Sequence, residues 1–158
     1  IKEGDRVYGL KSSGFHTNGY SLIRSVLFDR MKFNGDEYIE ELGATIPDVF
    51  LKPHRSYYRE ILPVLESANG IIHITGGGFP GNIPRIIPDG YTCYIDTDSW
   101  EIPEHFTYIQ EKGDIPQEEM FRTFNMGIGM IVIGSRPEGG IEIGKIRRGK
   151  QSLIIDGI

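Results

Sequence analysis

The chain has 158 residues, 39% hydrophobic and 25% charged, the balance of one globular domain that can bury a core without metal or disulfide staples. A net charge of -5 gives no basic face for a nucleic acid, and no apolar run approaches the roughly 20 residues of a membrane-spanning helix. The single cysteine, Cys93, excludes an internal disulfide and any multi-cysteine metal site.

In chain order, residues 6–10 read as a strand, followed by a polar, glycine-bearing loop over 11–19. Asn18 is placed to cap a helix running to about Arg30, with Ile23, Val26, Leu27 and Met31 at helical spacing. Residues 34–52 carry no clear period and are expected as loop. Pro53 stands near the start of a second helix, with Tyr57, Tyr58, Ile61, Leu62 and Leu65 on its inner side and Pro63 bending it or ending it early. A strand over 71–75 runs straight into Gly76-Gly77-Gly78-Phe79-Pro80-Gly81. A short helix over 82–87 and a strand over 91–96, with Cys93 buried in it, come next.

Residues 102–110 and 117–123 are predicted helices, each with a proline near its start, and 127–134 an apolar strand. Residues 141–146 and 152–155 are expected as a closing antiparallel pair around the basic turn that carries Arg147, Arg148 and Lys150. The alternation of strands and helices favours an α/β layered domain. A reducing compartment suits a lone cysteine, and with no charged-then-apolar leader the expected location is cytoplasmic. The start at Ile1, without methionine, suggests a domain cut from something longer.

Three segments concentrate chemistry. In the loop from Ser12 to Ser21, hydroxyls, the His16 imidazole and the N-H groups of a helix start converge, a setting that suits phosphate; an Asn-capped turn is the plainer reading. The second segment, Thr75 to Asn82, satisfies Gly-x-Gly-x-x-Gly, and Asp96 ends the next strand near the spacing of a ribose-binding carboxylate. A dinucleotide-binding crossover helix does not fit the eight residues from Asn82 to Asp89, which contain Pro84 and Pro88, so a phosphate or substrate loop is the stronger reading. In the third segment, from Met120 to Met130, Arg122 can clamp a phosphate or carboxylate, or form a surface ion pair, and Asn125 can cap the helix end. Asp96 and Asp98 could meet magnesium, but strand-end aspartates more often cap turns. No metal-ligand set is assigned from the sequence.

Taken together, Ser12-Ser13-Gly14-x-His16-x-Asn18-Gly19-Tyr20-Ser21, Thr75-Gly76-Gly77-Gly78-Phe79 with Asn82-Ile83-Pro84-Arg85, Tyr91 to Trp100, and Phe121-Arg122-Thr123-Phe124-Asn125-x-Gly127-x-Gly129-Met130 resemble the phosphoribosylformylglycinamidine cyclo-ligase (aminoimidazole ribonucleotide synthetase) family. The match follows the order and spacing of that family's carboxy-terminal half. The resemblance implies a single three-layer α/β (α+β) domain over 1–158, with a mixed sheet flanked by helices. It further implies a homodimeric, two-domain enzyme of purine biosynthesis whose absent amino-terminal half supplies most of the ATP and magnesium site.

On that resemblance His16 transfers a proton or stabilises an activated oxygen of a ribonucleotide substrate. Ser12, Ser13, Gly14, Asn18, Thr75, Gly76, Gly77, Gly78 and Asn82 hold phosphate or ribose oxygens, and Arg122 and Asn125 line or brace the cleft. A non-catalytic dimerisation or scaffold domain and a dinucleotide-binding oxidoreductase domain are the alternatives. One departure stands out: the family carries a helix after the strand that ends near Gly134, whereas residues 135–140 lead almost directly to Ile141.

Overall fold

A computed structural model describes residues 1–158. Six strands form one sheet: β1 (Arg6–Lys11), β4 (Gly70–His73), β5 (Tyr91–Ile95), β6 (Ile128–Ile133), β7 (Ile141–Arg148) and β8 (Leu153–Ile155). Their order is β4-β6-β1-β7-β5-β8, and a two-stranded ribbon of β2 (Tyr38–Ile39) and β3 (Ala44–Thr45) stands apart. Every adjacent pair in the large sheet is antiparallel except β5 and β8, so the sheet is mixed.

Alternation along the strands assigns the two faces. Val7 pairs with Ile133 and Ile72 with Ile131, and all four point into the main core. Against that face pack α1 (Tyr20–Arg24) and its continuation, α4 (Gly78–Asn82), α5 (Glu104–Gly113) and α6 (Gln117–Thr123). They contribute Ile23, Leu27, Phe79, Phe106, Ile109, Met120 and Phe121 to one cluster of buried side chains. Burying each such side chain is worth about 1.5–3 kcal/mol, so this face carries most of the stabilisation. The other face carries Leu10, Val132, Met130 and His73, covered in part by residues 53–65 with the one-turn helix α3 (Tyr58–Ile61).

Several expectations change. Asn18 caps nothing: Gly19, at φ 77°, is the N-cap, and its carbonyl accepts from Leu22 and Ile23 N-H. Past Arg24 the helix widens into a π-helical stretch (Ser25–Arg30), whose last bond runs from Met31 N-H to Val26 O at 3.0 Å. Residues 34–52 are not all loop, for they hold the β2–β3 ribbon and α2 (Ile46–Phe50). Thr45 caps α2 through Asp48 N-H, and Pro47 lies in its first turn; a five-residue helix is too short to declare a period.

The second helix begins at Tyr58, not near Pro53, and Pro63 tightens it into a 3-10 turn (Leu62–Val64). Tyr57 is buried, but Tyr58, Leu62 and Leu65 are 67%, 52% and 53% exposed, the reverse of the expected inner side. The glycine-rich segment enters its helix at Gly78 rather than Asn82, and that helix is only five residues long. No dinucleotide-binding unit forms there, because β4 and β5, although they run in the same direction, are not neighbours: β6, β1 and β7 lie between them. Residues 141–146 and 152–155 do not form an antiparallel pair. β7 already spends both edges on β1 and β5, so β8 adds to the free edge of β5, in parallel. β6 and β7 flank β1 in the same direction, and the seven residues 134–140 cross over it without a helix.

Candidate functional site

The site forms where β1 and β4 end and β6 begins. Lys11 closes β1, and the chain then turns through residues 12–19 to α1. Asn125, buried just after α6, holds that loop: its Nδ2 donates to Gly14 O at 2.8 Å, while its Oδ1 accepts from Ser12 Oγ and Gly127 N-H, both at 2.9 Å. Ser12 N-H in turn donates to Gly127 O at 2.8 Å. These bonds explain why an Asn stands at the helix end: its amide satisfies three buried or half-buried groups that have no ladder partner.

His16 is the centre of this loop. It is 3% exposed and adopts φ 56°, a left-handed conformation that costs energy for any residue but glycine. Ser13 N-H donates to His16 Nε2 at 3.2 Å, which puts the ring hydrogen of the neutral imidazole on Nδ1. Nδ1 is buried and has no partner. Burial, then the nearby His54, His73 and Arg55, lower the His16 pKa to about 4, so the ring is neutral at pH 7.

Two further histidines complete the cluster. The rings of His16 and His54 lie 3.8 Å apart centre to centre, and His54 Nε2 is 3.2 Å from His73 Nε2. Burial and His54 also lower the pKa of His73. Tyr57 borders them, donating its hydroxyl to Lys11 O at 3.1 Å, and Arg55 donates to the same carbonyl at 3.0 Å while pairing with Glu60. Burial raises the Tyr57 pKa, so the phenol stays protonated. A cavity of about 320 Å³ opens beside them, lined by His54, Arg55, Tyr57, Ile61, His73 and Met130 among others. The close approach depends on Gly129, since a Cβ there would stand 2.1 Å from Tyr57 Oη and 2.5 Å from His16 Cε1.

The glycine-rich segment reaches the same end of the sheet. A Cβ on Gly76 would lie 3.4 Å from Asn18 Oδ1, and one on Gly78 only 1.9 Å from Phe121 O, so Gly78 lets α4 seat directly on α6. Gly77 and Gly78 both take positive φ. Asn82 spends its side chain inside the segment: Nδ2 donates to Thr75 O, Gly76 O and Gly78 O, and Oδ1 accepts from Thr75 Oγ1 at 3.1 Å. Ser13 Oγ donates to Pro53 O at 2.7 Å, tying the first loop to the extended strap of residues 53–57, which carries His54.

Thus Ser12, Ser13, Gly14, His16, Asn18, Thr75 to Gly78, Asn82 and Asn125 come together at one end of the sheet. Arg122 does not join them; it is exposed, pairs with Glu118 at 3.0 Å and lines a separate groove with Pro80, Pro84 and residues 150–155. Asp96 accepts from Asp98 N-H as a turn cap, and no three carboxylates of the chain converge on one point. His54, Arg55 and Tyr57 are not legible as site residues in the sequence, because Pro53 reads as the start of a helix there and the segment is extended up to Tyr57. His73 is missed as well, although strand alternation, which puts it on the face opposite Ile72 and Ile74, is a signal that could have found it.

The sequence model of the family described as AIR synthase related protein, C-terminal domain, matches residues 2–138. The chain belongs to this family. As a member, it is 52% identical over 140 residues to a phosphoribosylformylglycinamidine cyclo-ligase of Syntrophus aciditrophicus, covering 87% of this chain and 40% of that protein. To the cyclo-ligase of Alkaliphilus oremlandii it is 43% identical over 159 residues, covering 99% of this chain and 47% of the relative. The AIR synthase-related chain therefore spans less than half the length of these curated relatives. Its fold is shared with thiamine monophosphate kinase from Aquifex aeolicus, at TM-score 0.60 and 18% identity over 99% of this chain and 51% of that one. AaThiL complexed with AMPPCP and TMP aligns equally well, at TM-score 0.61.

Proposed function

We propose that the chain is the carboxy-terminal half of a phosphoribosylformylglycinamidine cyclo-ligase, contributing part of the substrate cleft for ATP-dependent closure of formylglycinamidine ribonucleotide to aminoimidazole ribonucleotide. The identity of 43–52% to relatives of that name supports the assignment. The observation that carries it to chemistry is the buried, neutral His16 with a partnerless Nδ1. In this reading ATP, held mainly by the amino-terminal half together with magnesium, activates the formamide oxygen. The homodimer and the cytoplasmic location belong to the same proposal.

His16 has one task in this scheme. With Nε2 engaged by Ser13 N-H, the imidazole presents Nδ1-H as a fixed donor, and a ring with its pKa near 4 is a poor base at pH 7. It therefore stabilises negative charge on the activated oxygen rather than removing a proton. Ser12 and Asn125 hold the loop that aims it, and the backbone of Gly76 to Gly78, with Thr75 and Asn18, lies against the same loop, where it can bind phosphate or ribose oxygens. Asn82 shapes that backbone from behind.

The test is made in the full-length enzyme. His16→Ala should lower kcat by about 10²-fold or more, while His16→Asn, which keeps a side-chain N-H donor, should recover part of the loss. Folded Ala and Asn variants that both retain nearly full kcat would remove His16 from the reaction. The 158-residue chain alone should bind substrate weakly and show no turnover; ring closure at the intact enzyme's rate would refute the division of labour.

A further inference from the structure

We infer that His16, His54 and His73 form a binding site for one late first-row divalent cation of the zinc class, distinct from the magnesium that the ring-closing reaction would use. The three side chains come from different parts of the fold, the first loop, the strap and the end of β4, yet one ring nitrogen of each lies within 4.8 Å of the other two. Two ligands at 2.0–2.1 Å from a tetrahedral ion stand about 3.3 Å apart. His54 Nε2 and His73 Nε2 are already 3.2 Å apart, so this pair needs almost no movement to share an ion.

The third ligand closes the set at a modest cost. His16 has a buried Nδ1 without any hydrogen bond, and its Nε2 is held only by Ser13 N-H at 3.2 Å. Ligation through Nε2 exchanges that hydrogen bond for the ion. Ligation through Nδ1 moves the ring hydrogen to Nε2 and turns the Ser13 N-H away. Either route shifts residues 13–16, which lie in a loop rather than a strand.

The donor set decides the class of ion. Three imidazoles and no carboxylate suit zinc, cobalt, nickel or copper and offer little to magnesium or calcium. Arg55, the nearest cation, is paired with Glu60, which limits its repulsion of an incoming ion. The adjoining cavity of about 320 Å³ leaves room for water or an anion as a fourth ligand. Ligation through Nδ1 and donation by His16 Nδ1 to a substrate exclude each other, so an ion held by that route would act as an inhibitor of ring closure. Binding itself is independent of that reaction and is read separately from it.

The experiment titrates the protein with Zn2+ against a chromophoric chelator, and with Co2+ by visible absorption. The expected result is one equivalent bound, with the absorption bands of a tetrahedral cobalt site and no competition from excess Mg2+. His54 and His73 are exposed, so His54→Ala and His73→Ala should leave the fold unchanged and each weaken zinc binding by at least about 10-fold. His105→Leu, which alters the one histidine outside the cluster, should bind as the parent does. Absence of stoichiometric zinc binding, or binding unchanged in both His54→Ala and His73→Ala, overturns the inference whatever the outcome of the ring-closure assay.

Discussion

Replacement of Gly129 by alanine tests the packing that brings the site together. The added methyl would stand 2.1 Å from Tyr57 Oη, 2.5 Å from His16 Cε1 and 3.0 Å from Tyr57 Cζ. Gly129 lies where β6 bulges against β1, and its carbonyl accepts from Ile74 N-H at 2.9 Å, which resists a backbone shift. Tyr57 and the His16 ring must give way instead. Overpacking of this kind costs about 1–3 kcal/mol, and loss of the Tyr57 bond to Lys11 O adds about 1 kcal/mol. For a domain of this size, a total near 3 kcal/mol lowers Tm by roughly 6–12 °C.

A double-mutant cycle identifies the cause. Tyr57→Phe removes the hydroxyl that meets the new methyl, and Lys11 O keeps its bond from Arg55 at 3.0 Å. Tyr57→Phe alone should therefore cost only about 1 kcal/mol. Combined with Gly129→Ala it should recover part of the loss, with a coupling of at least about 1 kcal/mol; recovery is incomplete because His16 Cε1 and the ring carbon still crowd the position. Thermal and denaturant unfolding of the four proteins supply the cycle. Gly129→Ala as stable as the parent, or strictly additive effects, would refute the steric account.

Three more outcomes follow from the same structure. Asn125→Ala strips partners from Gly14 O, Gly127 N-H and Ser12 Oγ, and leaving two buried backbone groups unsatisfied should cost about 3 kcal/mol, read as a Tm lower by roughly 6–12 °C; a neutral change would show the loop to be held by other means. Burial and Lys52 lower the His105 pKa from 6.5 to about 4, so the unfolded chain takes up this proton first as pH falls. Stability should then decline from pH 6.5 towards 4, with His16 and His73 adding in the same direction, and His105→Leu should decline less than the parent; equal declines would exclude His105. Cys93 is fully buried, its thiol pushed up to about 12 by burial, so it should resist iodoacetamide in the folded protein and react only on unfolding.

Much of the sheet is legible in the amino-acid sequence, as are most of the residues that crowd its end. The apolar strands over 128–133 and 91–95 and the helix Gln117–Thr123 were legible, since each has a clear period or sharp turn signals at its ends. So was the concentration of Ser, Asn, Gly and His in three loops, which the fold does bring to one place. Short elements were not legible: α2, α3 and α4 span five residues or fewer, and tertiary packing rather than propensity stabilises them. The parallel docking of β8 was hidden because strand pairing depends on which edges other strands leave free. The histidine cluster was hidden for a related reason. His16, His54 and His73 are 38 and 19 residues apart in sequence, and only the turn after β1, the extended strap beneath the sheet and the missing side chain of Gly129 bring their rings into contact.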